Sequence, residues 1–156
     1  MLTFSNERIL AIISKSEFKD FTRQIKRSKL KNIALISIQD PDDKEDLASF
    51  FKEYHHVLNA RFWDVVESKR VGQKDMSVIS SDTARKIKNF ITANSNKRFL
   101  VHCSAGMSRS AAVAKAVICL LDYDNDIYSY KISPCPITEH PRYHYNPTVF
   151  DAIVKA

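Results

Sequence analysis

The sequence predicts an α/β fold, with a central, mostly parallel sheet flanked by helices. Short apolar runs alternate along the chain with stretches whose apolar residues recur at three- and four-residue spacing, the pattern of strands separated by amphipathic helices. Strands joined through helices pair in parallel. Strand segments that are apolar almost without interruption belong to a sheet covered on both faces.

The elements follow in order. Residues 9–13 (ILAII) read as a strand, and 16–27 as a helix with Phe18, Phe21 and Ile25 on one face and Ser16 as N-cap. Residues 32–38 (NIALISI) read as a buried strand. Residues 41–54 open with Pro-Asp-Asp and carry Leu47, Phe50 and Phe51. Early proline and acids in a first turn predict a helix there, capped and charged by Asp40, Asp42 and Asp43, with lining of the cleft as the lesser alternative for these three. Residues 56–62 read as a strand, and the polar stretch 63–77, which contains Gly72, as a loop. Residues 80–93 form a helix capped by Ser80 or Ser81, with Ala84, Ile87, Phe90 and Ile91 inward. Residues 98–102 (RFLVH) are a short strand, 110–121 an apolar helix, and 146–155 a final helix opening at Pro147.

The 156 residues, 1–156, fit a single domain. Apolar residues at 44% and charged residues at 27% give the balance of a soluble globular protein, and no stretch has the length of a membrane span. No membrane partner is expected. The N-terminus places Glu7 before its apolar run and has no cleavage site of small residues, so it reads as an early strand and not a signal peptide. The three cysteines, Cys103, Cys119 and Cys135, do not make a disulfide framework, which points to a reducing, cytoplasmic setting. No two of them have CxxC spacing, and Cys135, His140 and His144 are too few for a structural zinc site, so neither metal nor cofactor is expected. Cys119 reads as packing and Cys135 as a loop residue. The net charge of +6 suits anionic ligands. The basic run Arg23, Lys26, Arg27, Lys29 and Lys31 lacks interleaved aromatics and reads as a solvated face, so nucleic acid is not an expected partner. The oligomeric state is left open.

In sheets of this kind ligands bind beyond the carboxyl ends of the strands, so the loop after residues 98–102 is the expected ligand position. There the chain reads His102-Cys103-Ser104-Ala105-Gly106-Met107-Ser108-Arg109-Ser110. A tight strand-to-helix loop turns backbone N–H groups inward as an anion nest, and the helix N-terminus adds positive potential. Gly106, one of two glycines in the chain, permits a backbone angle that a side chain disfavours. Arg109 supplies a planar fork for two phosphate oxygens. Each of these features favours a thiolate at Cys103, and a thiolate beside a bound phosphate is a nucleophile for phosphoryl transfer.

This string resembles the HCxxGxxRS signature of the protein tyrosine and dual-specificity phosphatase superfamily, and AGMSRSAAVAKAV is similar to its compact bacterial and phage members and small dual-specificity enzymes. The resemblance implies a phosphatase-type phosphate-binding loop between strand and helix. It implies that Cys103 forms a cysteinyl-phosphate while Arg109 and the amides of Ser104, Ala105, Gly106, Met107 and Ser108 hold the phosphate oxygens. Ser110 would then assist the sulfur as leaving group, and His102 would order the loop from behind. The superfamily also uses an aspartate as general acid. Asp64, in Phe62-Trp63-Asp64-Val65, resembles that residue, and Asp75, nearer Cys103 in sequence, is the alternative.

The implied activity is metal-independent hydrolysis of phosphate monoesters on a phosphorylated protein, phosphotyrosine first and phosphoserine or phosphothreonine in addition. The alternatives are an RNA 5′-phosphatase or triphosphatase, a phosphoinositide phosphatase, or a phosphate-binding module without turnover. The loop lacks the internal lysine of the lipid-phosphatase type and departs from the HCxHGxNRTG pattern of the RNA enzymes.

Overall fold

A computed structural model describes residues 3–133 and 135–156. A four-stranded, all-parallel sheet runs through its centre in the order β1-β6-β2-β3, built from β1 (Ile9–Ser14), β2 (Ile33–Gln39), β3 (His56–Arg61) and β6 (Arg98–Cys103). This is the predicted α/β architecture. β2 and β6 are the inner strands, and residues 33–39 of β2 are buried throughout. A strand covered on both faces has no polar side to show, which is why the segment reads as one apolar run.

Alternate side chains on these strands feed two cores. On one face α1 (Lys15–Gln24), a 3-10 turn (Arg27–Asn32) and α2 (Ala48–Phe51) pack Phe18, Leu30, Leu47 and Tyr54 against Ile13, Leu35 and Leu100. On the other, α3 (Ser81–Ala93), α4 (Arg109–Asp122) and α7 (Pro147–Val154) pack against Ile36, Phe99 and Val101. α4 lies in the centre of that layer, and Ser110 to Leu120 are buried all round it. Burying a side chain the size of Phe18 stabilises the fold by roughly 1.5–3 kcal/mol.

Several predicted boundaries shift. The N-cap of α1 is Ser14, not Ser16. Glu17 completes a capping box with Ser14, whose Oγ accepts from the Glu17 amide at 3.1 Å while the Glu17 carboxylate accepts from the Ser14 amide at 2.9 Å. The helix expected over 41–54 shrinks to α2, because Asp40, Asp42 and Asp43 bind elsewhere and Asp46 caps the Ala48 amide at 2.9 Å. The predicted loop 63–77 contains an antiparallel hairpin, β4 (Lys69–Val71) and β5 (Lys74–Met76), turning at Gly72 with φ +61°. Its strands are mostly exposed and alternate no apolar residues, so periodicity gives no sign of them. Two short helices, α5 (Ile127–Ile132) and α6 (Pro136–Glu139), lie between α4 and α7, and Cys135 is the extended residue that precedes α6, in a loop as expected. Ser80 caps α3, accepting from the Thr83 amide at 3.1 Å.

No helix among the described residues is long and apolar enough to cross a membrane. The basic run is surface: Lys26, Arg27, Lys29 and Lys31 are exposed, and Arg27 pairs with Glu53 at 2.6 Å.

Candidate active site

β6 ends at Cys103 and α4 begins at Arg109, so the expected ligand loop lies at the carboxyl edge of the sheet. The loop is clamped against the β1–α1 junction. Gly106 has φ +71°, and a Cβ built on it would lie 2.4 Å from Ile13 C and Ser14 N. Only a residue without a side chain fits that contact and that angle together. The Lys15 amide donates to Ser104 O at 3.3 Å, the His144 amide to Met107 O at 3.0 Å, and the Asn146 amide to Ser108 O at 3.2 Å. The loop carbonyls are thus engaged by surrounding backbone. The amides of Ala105, Met107, Ser108 and Arg109 have no acceptor among the described residues. Such a row of free N–H groups, at the start of a 14-residue helix, is an anion nest.

Cys103 is 2% exposed and sits in this nest. Its sulfur accepts from the Gly106 amide at 3.3 Å and lies 3.1 Å from Ser110 Oγ.

Arg109 is 4% exposed, and its guanidinium is held from one side. Nη1 donates to Phe62 O at 2.7 Å and pairs with Asp40 Oδ1 at 2.7 Å. Nη2 donates to Ser104 Oγ at 3.2 Å, and the buried Nε has no partner. A buried N–H left unpaired is costly, and the Nε–Nη2 edge is the side of the fork that takes two oxygens at once. Of the two readings of Asp40, the lesser one holds: it pairs with Arg109 and does not charge a helix. Asp43 binds Lys15 at 2.9 Å and the Glu45 amide at 2.9 Å, which together hold its carboxyl well below the usual carboxylate range. Asp42 pairs with Lys74 of the hairpin at 2.6 Å.

Asp64 reaches the same loop. Its Oδ1 accepts from Ser108 Oγ at 2.8 Å and from Asn146 Nδ2 at 2.9 Å. Ser108 stands at the N-cap position of α4 but makes no side-chain cap, which leaves its hydroxyl for Asp64. Asn146 is buried and does two jobs: its Oδ1 caps α7 through the Thr148 and Val149 amides, and its Nδ2 holds Asp64 and Val65 O. In the sequence Asn146 reads only as a helix start. Its side of the cap was legible, but its link to Asp64 spans much of the chain. Asp75 lies on the exposed hairpin, its carboxylate 3.7 Å from Arg70, and touches no residue of the loop.

His102 lies behind the nest, fully buried, with its ring stacked on Phe18 at 4.3 Å between centroids. Its Nε2 is 2.6 Å from Ser37 Oγ. Burial pushes its pKa down to about 4, so the imidazole is neutral at pH 7. Glu17 completes the cap of α1 at the β1–α1 junction on which the loop is clamped. It pairs with Arg142, and this ion pair is the main reason its carboxyl is lowered to about 2. Cys119 is fully buried in α4, where burial pushes its thiol up, and Cys135 Sγ lies 3.0 Å from Tyr130 OH. Neither touches Cys103.

No protein-family model matches the chain, and no curated protein does. Solved structures do. The Cydia pomonella PTP-2 phosphatase superposes with a TM-score of 0.60 at 16% identity, over 98% of this chain and 88% of that one. The Yvh1 phosphatase domain from Chaetomium thermophilum gives 0.56 at 16% identity, over 98% and 92%. PTPMT1 in complex with PI(5)P gives 0.53 at 14% identity, over 88% and 83%. With its four-stranded parallel sheet and the loop between β6 and α4, this chain has the fold of the protein tyrosine and dual-specificity phosphatases.

Proposed function

We propose that the chain is a cysteine-dependent phosphatase that hydrolyses phosphate monoesters on proteins, phosphotyrosine first and phosphoserine or phosphothreonine in addition. The observation that carries this reading is Arg109: a buried guanidinium held on one side by Phe62 and Asp40, with Nε unpartnered beside a row of free amides and the sulfur of Cys103. A tetrahedral oxyanion with one face toward Sγ satisfies Nε, Nη2 and the amides together.

In the first step the Cys103 thiolate attacks phosphorus. An S–P bond forms, the P–O bond to the substrate breaks, and the departing oxygen takes a proton from Asp64. In the second, water attacks phosphorus while the Asp64 carboxylate takes its proton. The S–P bond breaks, and the Ser110 hydroxyl stabilises the sulfur that leaves. Ser108 and Asn146 hold Asp64 at the rim of the nest in both steps. Asp75, on the far hairpin and bound to Arg70, has no part in this scheme.

The test is phosphate release from a phosphotyrosine peptide and a phosphothreonine peptide without added metal, with Cys103→Ser in parallel. Turnover of at least one peptide is expected, and its loss in Cys103→Ser. Equal turnover by the variant would sink the cysteine mechanism. Turnover of a phosphoinositide but of neither peptide would replace the protein substrate with a lipid one. Tight binding of a phosphate analogue with no turnover of any ester would make the chain a binding module.

A further inference from the structure

On the α4–α7 side of the molecule a cleft of about 510 Å³ opens between α4, α5, α6 and α7. No residue of the 103–110 loop lines it. At its base is Lys115, which is 8% exposed although it carries a charge. Its Nζ lies 3.8 Å from the ring centroid of Tyr145, 4.5 Å from that of Phe150 and 5.5 Å from that of Tyr130. It makes no ion pair and donates no hydrogen bond among the described residues, and its Nζ, unlike Arg109 Nε, is not a fully buried atom but keeps contact with solvent through the cleft.

That arrangement is unusual in its balance. A lysine whose side chain is mostly buried nearly always pairs its ammonium with an anion or a hydrogen-bond acceptor, and here only solvent in the cleft is left to it. The three aromatic faces offset part of the cost of that burial, since each presents its negative quadrupole to the cation. They cannot accept its N–H bonds as an oxyanion does. All three rings and Lys115 line the cleft, and its volume is that of a small-molecule site. At the rim stand Lys131 on one hand and Glu139 and Asp151 on the other. The two carboxylates would repel a polyphosphate, while Lys115 draws a single negative charge to the base.

We propose that this cleft binds a small aromatic carboxylate, its carboxylate on Lys115 and its ring among Tyr130, Tyr145 and Phe150. The site is separate from the Cys103 loop, and its occupation does not require the activity proposed above. Two of its walls, Tyr145 and Pro147, flank Asn146, the residue that holds Asp64.

The probe is 3-phenylpropionate, titrated into the full chain by calorimetry and by NMR. 3-Phenylpropan-1-amine carries the same body with opposite charge, and propionate carries the head without the ring. Saturable binding of 3-phenylpropionate is expected, with shifts at Tyr145 and Phe150. Both controls and Lys115→Met should bind about tenfold or more weaker, the scale of losing one charge-assisted contact or one buried ring. Lys115→Arg should keep binding to within a few-fold. The inference is overturned if the amine binds as tightly as the acid, if Lys115→Met binds unchanged, or if 3-phenylpropionate shows no saturable binding. Should Lys115→Met fail to fold, the acid and amine compared on the native chain, with Lys115→Arg, decide the matter.

Discussion

Replacing Gly106 by alanine tests whether the loop is held rigid by its contact with the β1–α1 junction. The new Cβ would sit 2.4 Å from Ile13 C and Ser14 N and 2.8 Å from Ile13 O. Carbon contacts are ordinarily near 3.5 Å, so the loop must lift by about 1 Å. Every atom it meets is backbone, which cannot swing aside as a side chain can. The φ of +71° adds about 1–2 kcal/mol for a residue with a side chain. The displacement adds about 1–3 kcal/mol. Together they predict a loss of about 2–5 kcal/mol, or roughly 5–15 °C in melting temperature for a chain of this size. A shift of about 1 Å in a catalytic group costs about 100-fold in rate, so kcat/KM on a phosphotyrosine peptide should fall by about that much at a temperature where the variant is folded. Gly72→Ala is the control. Gly72 also has a positive φ, +61°, but nothing lies within 4 Å of its Cβ position. It should lose about 1 kcal/mol and no activity. A Gly106→Ala protein that melts and turns over like the native one would refute the rigid-loop reasoning.

Further outcomes follow from the same geometry. Asp64→Ala should lower kcat on a phosphopeptide about 100-fold or more, the usual scale for a general acid, while Asp75→Ala should leave it unchanged. The reverse result would move the acid to the hairpin. Asn146→Asp keeps an acceptor for the α7 cap but turns a buried carboxylate oxygen toward Asp64 Oδ1 and Val65 O, so stability should fall by about 1–3 kcal/mol and kcat by about tenfold or more. Native kcat in that variant would show that Asp64 needs no anchor. His102 is neutral in the fold with a pKa of about 4, against 6.5 in the unfolded chain. The unfolded state therefore binds more protons between those values. Stability is full above pH 6.5 and falls as the pH drops through 4, by about 3 kcal/mol in all. Glu17, lowered from 4.5 to about 2, removes a further increment below pH 4.5, reduced by solvent screening of its part-exposed pair with Arg142. Urea unfolding between pH 7.5 and 4.5 measures the His102 window, and a midpoint constant across it would contradict the buried neutral imidazole.

The sequence by itself determined what depends on neighbours in the chain. Residues 32–38 and 98–102 read as strands, within a residue of β2 and β6, because both faces of an inner strand select apolar residues. The loop was legible as a unit because Cys103, Gly106, Arg109 and Ser110 act within one strand–turn–helix segment, whose local geometry sets their spacing. Ser80 as a cap was legible for the same reason, whereas Ser14 was passed over for Ser16 although its partner Glu17 stands three residues on.

Tertiary structure decided the rest. Asp40 looked like a helix charge because acids beside a proline suit a first turn. It reaches Arg109 because β2 lies next to β6 in the sheet, so the carboxyl ends of the two strands share one edge. β3 brings Phe62 and Asp64 to that edge in the next position, and α7, packed on α4, brings Asn146. No local pattern encodes these meetings, because they are set by strand order and helix packing. Lys115 shows the same division most plainly: in sequence it is one lysine in an apolar helix, and only the packing of α5, α7 and Tyr145 around α4 brings three aromatic rings to it, with no ion pair among the described residues.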